Sequence, residues 1–274
     1  MNIFTTLLVN PIINIIVAFY HGLLLLHIPY ALGFAIILMT AFIRLLLAPL
    51  IASQLHHTKK MQELTPHLSK IKEKHKGDMQ KQQQATMALY QEHGVNPAAG
   101  CLPLVVQMGV LIFGLYPALR DVMSLHTDKI MSTINGLVYF PPLRLTHAWD
   151  TNFFGFSLEK SPQQLFSTMG AVVIIVPLLA FLFQFIQVKM APLPALPEKK
   201  DSDKKEGLED VMASFQKQSL MLAPVMVGFF SFTFPIGLVL YWNTFTLFGI
   251  IQQYKLQGWG NLEPWIQKIT RKQK

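Results

Sequence analysis

Residues 31–53 read ALGFAIILMTAFIRLLLAPLIAS, a stretch with a single charge, Arg44, set among twelve Leu, Ile and Phe residues. As a helix rising about 1.5 Å per residue, the stretch is long enough to cross the roughly 30 Å of bilayer hydrocarbon. An arginine at a helix centre costs about 2.5–3.5 kcal/mol to insert, and each Leu, Ile or Phe offsets about 0.3–0.6 kcal/mol of that. The stretch can therefore enter a membrane, but Arg44 then needs water or a partner.

Working outward, the chain carries four uncharged runs: Met1 to Ile43, His93 to Leu119, Ser161 to Val188 and Gln218 to Tyr254. Each exceeds the roughly 20 residues that a spanning helix requires. Only 14% of the chain is charged, against about a quarter in a soluble domain, and the composition excludes disorder, a coiled coil and a secreted mini-protein. Pro29 divides the first run, because the residue before a proline is disfavoured as helix. The last run is too long for one crossing and is expected to turn back at Pro235-Ile236-Gly237. The chain thus reads as an all-α polytopic membrane protein with five transmembrane helices, at 31–53, 97–117, 165–188, 218–234 and 236–254.

Residues 7–27 mix Asn10, Asn14, His21 and His27 with Leu and Ile, so 1–30 is expected to form an amphipathic interfacial helix. It lacks the basic start of a cleaved signal peptide. Lys and Arg then set the orientation. Segment 54–95 holds seven, 189–217 six and the tail 255–274 five, whereas the longer segment 118–164 holds four. The basic side is cytoplasmic, with the N-terminus outside and the C-terminus inside a bacterial-type plasma membrane. In 54–95, Met61, Leu64, Leu68 and Ile71 recur at helical spacing, Gly77-Asp78 interrupts, and Met87, Ala88 and Tyr90 follow, which is the pattern of a helical hairpin. Segment 189–217 is proline-rich and charged, the composition of a linker. The extracytoplasmic loop 118–164, aromatic and broken by Pro141-Pro142, is expected to be an ordered cap.

Catalytic residues are not visible. Cys101 is the one cysteine, no HExxH or phosphate-binding glycine loop occurs, and no cofactor or metal is expected. The protein reads as a non-enzyme without sequence-specific nucleic-acid binding. None of the five stretches contains Asp or Glu, so an ion pair for Arg44 is not available inside them. A hydrated cavity lined by Gln107, Gln184, Gln187, Asn243, Thr244 and Thr246 would serve; so would snorkelling of Arg44 to the headgroups. An Arg-lined cavity also suits a small-solute transporter or channel, although no inverted repeat is detectable.

Three pieces carry a resemblance. Lys60-Met61-Gln62-Glu63-Leu64-Thr65-Pro66 through Lys72, with Met87-Ala88-Leu89-Tyr90 and Asn96-Pro97-Ala98-Ala99-Gly100-Cys101-Leu102-Pro103-Leu104-Val105-Val106-Gln107-Met108, resembles the cytoplasmic hairpin and second core span of the YidC membrane-protein insertase family. Arg44 followed by Pro49, and Phe234-Pro235-Ile236-Gly237-Leu238-Val239-Leu240-Tyr241-Trp242 with Gln252-Gln253, fit the same family in order, over about residues 31–255. The resemblance implies a hydrophilic groove open to the cytoplasm and to lipid, with Arg44 as its charge and Gln107, Gln187, Trp242 and Thr246 beside it. It implies assisted insertion of nascent membrane proteins without nucleotide hydrolysis, and makes Met61, Leu64, Leu68, Met87 and Tyr90 part of a substrate-capture hairpin. The Sec translocon and the ribosome enter as candidate partners. Thr246 departs from the Asn that many relatives carry there.

Overall fold

Proline and glycine positions set many of the helix ends in the computed structural model, which describes residues 3–75, 77–95, 109–123, 128–191 and 222–271. Gln107, the motif 96–108, most of the linker 189–217 and the first residues of 218–234 lie outside the described residues. Wide turns at Thr5–Val9 run without a break into α1 (Asn10–Leu25), with Pro11 just after the wide turns. His27 and Tyr30 take left-handed backbone angles (φ 55° and 57°) around Pro29, and α2 (Ala31–Leu46) follows. The chain breaks at Leu47 and resumes as α3 (Ala48–Glu63). A single unbroken helix over 31–53 was expected; Pro49, without an N–H and clashing with the carbonyl four residues back, begins a new helix instead.

Next come α4 (Thr65–Lys74), α5 (Met79–Glu92), α6 (Tyr116–Met123) and α7 (Asp128–Leu137). Strands β1 (Asn152–Phe153) and β2 (Phe156–Ser157) pair antiparallel, so the architecture is helical with one small exception to the all-α expectation. Helix α8 (Pro162–Met169) begins on a capping box, in which Ser161 Oγ accepts from Gln164 N and the Gln164 side chain accepts from Ser161 N. Through a tight turn at Gly170–Ile174 it continues into α9 (Ile175–Met190). Helices α10 (Leu222–Thr233) and α11 (Ile236–Gln257) flank Pro235, and α12 (Glu263–Arg271) closes the described chain. Among the described residues, Thr5–Leu25 and Pro162–Met190 are long and apolar enough to cross a membrane, and α2 with α3 counts as a third if the bent pair is one span.

The chain divides into two compact units. The first comprises Met1–Leu47, Val105–Gln184 and Pro224–Gly249. Its core joins Ile13, Ile16 and Val17 of α1 to Leu32, Ala35, Ile36 and Met39 of α2, and extends to Leu115, Leu119, Ile134, Leu158 and Tyr241. The segment after α7 packs on this core through side-chain amides. Asn14 Nδ2 donates to the carbonyl of Leu137 at 2.9 Å, and Tyr139 N donates back to Asn14 Oδ1 at 2.7 Å. His21 Nε2 lies 3.0 Å from the Leu143 carbonyl, and Trp149 stands edge-on to Tyr20. Phe153 of β1 lies against Gly33, where a Cβ would collide with its ring. The N–H groups of Ile236 and Gly237 donate to the carbonyls of Lys160 and Leu158, giving the first turn of α11 the acceptors that a helix start lacks.

The second unit comprises Ala48–Leu104, Phe185–Ala223 and Ile250–Lys274. Here α4 and α5 form a helical hairpin whose turn ends on Asp78, the N-cap of α5, with Lys81 N donating to its carboxylate at 3.0 Å. Helix α3 is tied to the end of α11 by Gln252 Nε2 to the Ala48 carbonyl (3.0 Å) and Gln257 Nε2 to the Leu55 carbonyl (2.9 Å).

Candidate functional site

Arg44 occupies the last turn of α2 and is buried, 6% exposed. Its guanidinium carbon sits 3.4 Å from the centre of the Phe245 ring, a cation–π contact. Stacking of this kind stabilises the charge but satisfies no N–H, and Nε has no hydrogen-bond partner. Among the described residues no carboxylate forms an ion pair with Arg44.

Helix α11 carries Phe245 and most of the other candidate side chains. Tyr241 and Phe245, four residues apart, share a face with ring centres 5.6 Å apart. Trp242 Nε1 reaches Gln184 Oε1 of α9 at 3.4 Å. Asn243 Oδ1 is buried without a partner, Thr244 Oγ1 donates to the Leu240 carbonyl, and Thr246 is 2% exposed. On α2, Thr40 Oγ1 donates to the Ile36 carbonyl, which removes that hydroxyl as a free donor near Arg44's own helix turn.

The structure thus brings Trp242 to Gln184 and places Arg44, Gln184, Trp242, Asn243 and Thr246 in one unit. Gln187, three residues beyond Gln184 on the same helix, is half-buried and belongs to the second unit. Phe245, which carries the guanidinium, was not singled out by the sequence reading. Its signal was the i, i+4 spacing from Tyr241 on the helix that follows the Pro235 turn. In the hairpin, Leu64 is buried, Met61, Leu68 and Tyr90 are half-buried, and Met87 is exposed. Among the described residues no three His, Cys, Asp or Glu side chains are grouped to hold a metal ion.

Chemically, the arrangement offers a cation with no carboxylate partner among the described residues, with amide, indole and hydroxyl groups in the same unit. An oxyanion that reached it would gain charge-assisted hydrogen bonds in a poorly hydrated setting, where they are strongest.

Known proteins share this sequence over most of its length. ALBINO3-like protein 1, chloroplastic, of Arabidopsis thaliana is 32% identical over 256 residues, covering 91% of this chain and 48% of the plant protein. The protein named membrane protein insertase YidC of Syntrophobacter fumaroxidans is 34% identical over 222 residues, covering 81% of this chain and 34% of that protein. Membrane protein insertase MisCA of Bacillus subtilis is 33% identical over 237 residues, covering 82% of this chain and 70% of that protein. The chain therefore spans about half of the plant relative and a third of the Syntrophobacter one. The sequence pattern of the family described as 60Kd inner membrane protein matches residues 24–261, and the chain belongs to that family, the one whose YidC resemblance its sequence carries.

Proposed function

We propose that the protein is a membrane-protein insertase of the cytoplasmic membrane, working without nucleotide hydrolysis. Five helices enclose a groove open to the cytoplasm and to lipid, with the N-terminus outside and the C-terminus inside. The observation that carries this reading is Arg44, a buried guanidinium on an apolar helix with an unpartnered Nε and no carboxylate pair among the described residues. A charge kept at that cost in a helix otherwise suited to lipid is an expectation of function, because intramembrane ionisable groups mark polar pathways.

In this mechanism the acidic outer segment of a substrate exchanges part of its hydration for Arg44 and the nearby amides, which lowers the cost of crossing the low-dielectric layer. The apolar part of the substrate meanwhile leaves water for lipid, and burial of roughly 20 apolar residues supplies the free energy. Gln184, Trp242, Asn243 and Thr246 line the groove. The hairpin segment 54–95 makes first contact with the nascent chain through Met61 in α3, Leu64 before α4, Leu68 in α4, and Met87 and Tyr90 in α5. Helix α1 lies in the outer interface: the irregular backbone of 138–149 covers it from Asn14 to His21, and such backbone is not stable facing hydrocarbon. The Sec translocon and the ribosome are further candidate partners.

The test uses liposomes containing only the purified protein. A single-span substrate with an acidic outer segment is added and its protease-protected fraction measured. The wild-type protein should insert it, Arg44→Lys should retain most of the activity, and Arg44→Ala should lose about tenfold, the effect of removing a charge-assisted contact. Insertion no greater than in protein-free liposomes would overturn the autonomous-insertase reading.

A further inference from the structure

The end of the described chain carries a feature that groove chemistry does not use. After α11 the chain turns through Gly258 and Gly260, both at positive φ (66° and 53°). Gly260 lies directly on the carbonyl of Met190, leaving no room for a Cβ, and Asn261 Nδ2 donates to the Ala191 carbonyl at 2.8 Å. Trp259 folds back on Tyr254 with ring centres 4.8 Å apart. The start of α12 is therefore latched beside the last turn of α9, the end of the apolar helix Pro162–Met190.

Lys189, in that last turn, has its ammonium 5.6 Å from the Phe185 ring and 5.8 Å from the Trp265 ring of α12. Even so, Trp265 is 61% exposed. Leu262, Trp265, Ile266 and Ile269 recur at the i, i+3, i+4, i+7 spacing of one helix face, while Glu263, Gln267, Lys268 and Arg271 fall on the other. An exposed tryptophan beside a lysine at the end of an apolar helix suits the headgroup level of a bilayer, where an amphipathic ring has its apolar body in acyl chains and its N–H in water. The charges point to the lipid type. Lys189, Lys255, Lys268 and Arg271 stand against Glu263 alone, a cationic balance that complements an anionic leaflet.

We propose that α12 lies flat in the headgroup layer of an anionic membrane, with Trp265 and Ile266 at the acyl boundary, and pins the ends of α9 and α11 to that surface. A lipid surface is favoured over nucleic acid because the cations alone would serve a phosphate backbone, whereas the apolar face needs an apolar phase. The proposal does not depend on the insertase reading, since it concerns lipid contact and not substrate.

The experiment uses the full chain in a Cys101→Ser background, with Ile266→Cys or Gln267→Cys carrying a polarity-sensitive fluorophore, in phosphatidylcholine liposomes with or without phosphatidylglycerol. Position 266 should be quenched by doxyl-labelled lipid and be about fivefold less open to aqueous iodide than position 267, the contrast between the two faces of an interfacial helix. Phosphatidylglycerol should sharpen this contrast, and Lys268→Glu with Arg271→Glu should remove its effect. Hydrogen exchange over 265–271 in the unlabelled protein should slow with phosphatidylglycerol, which keeps the test independent of the dye. Equal iodide access at 266 and 267 in both membranes overturns the proposal, and protection indifferent to phosphatidylglycerol overturns the anionic assignment. Protection that appears only when RNA is added overturns it in favour of a nucleic-acid partner.

Discussion

Three residues hold positions where chemistry leaves little latitude. Gly33 accepts the ring of Phe153 with no space for a side chain, so Gly33→Ala forces the ring or the helix to shift. Overpacking of this kind costs about 1–3 kcal/mol, and thermal unfolding in detergent should show it. Phe153→Ala in the same chain should recover much of the loss, because it removes the clashing ring. Asn14 both donates to Leu137 and accepts from Tyr139, so Asn14→Ala strands a carbonyl and an N–H together. The expected loss is about 1–3 kcal/mol, with faster hydrogen exchange at the Tyr139 amide as its local signature. Arg44 differs from both, since its burial on Phe245 leaves the Nε donor unused.

At the scale of elements, the α4–α5 hairpin contains a titratable cap. The Asp78 carboxylate is held below its ordinary value, first by the hydrogen bond from Lys81 N and then by the Lys81 ammonium at 3.1 Å. A depressed folded-state value means the stabilisation is complete above the unfolded carboxylate value near 4 and is lost as pH falls through the lower folded one. Amide exchange at Lys81 and Gln82, corrected for its intrinsic pH dependence, should therefore rise below about pH 4. Asp78→Asn, which keeps an acceptor without the charge, should flatten that rise. The same elements show what a sequence can disclose. Pro29, Pro235 and Gly77-Asp78 mark helix limits because proline and glycine act on the backbone within a residue or two, and the helices begin at Ala31, Ile236 and Met79. The break at Leu47 carries the same kind of mark in Pro49, but the long apolar run around it concealed the limit. Contacts made at a distance were not legible. Asn14 read as one of the polar residues that make 1–30 amphipathic, and it binds backbone more than a hundred residues away. Gly33 and Phe153 had no pattern linking them, and nothing in the sequence joined Phe245 to Arg44.

For the whole molecule, the central claim is that the buried charge of Arg44 recognises acid in the incoming chain. Composition made a membrane protein legible, and the motifs made the family legible. The proposed groove draws on side chains that the sequence could name but not bring together, such as Trp242 with Gln184. The most direct measurement is a charge cycle in liposomes: wild type and Arg44→Gln, each with a substrate whose outer acidic residues are intact or changed to amides. Initial insertion rates give a coupling between the two changes, and the predicted value is about 1–3 kcal/mol, that of a charge-assisted pair in a poorly hydrated site. Neutralising the substrate should then cost the wild type about tenfold or more and cost Arg44→Gln little. Equal losses in both proteins, leaving no coupling, would contradict the claim that Arg44 reads the substrate's charge.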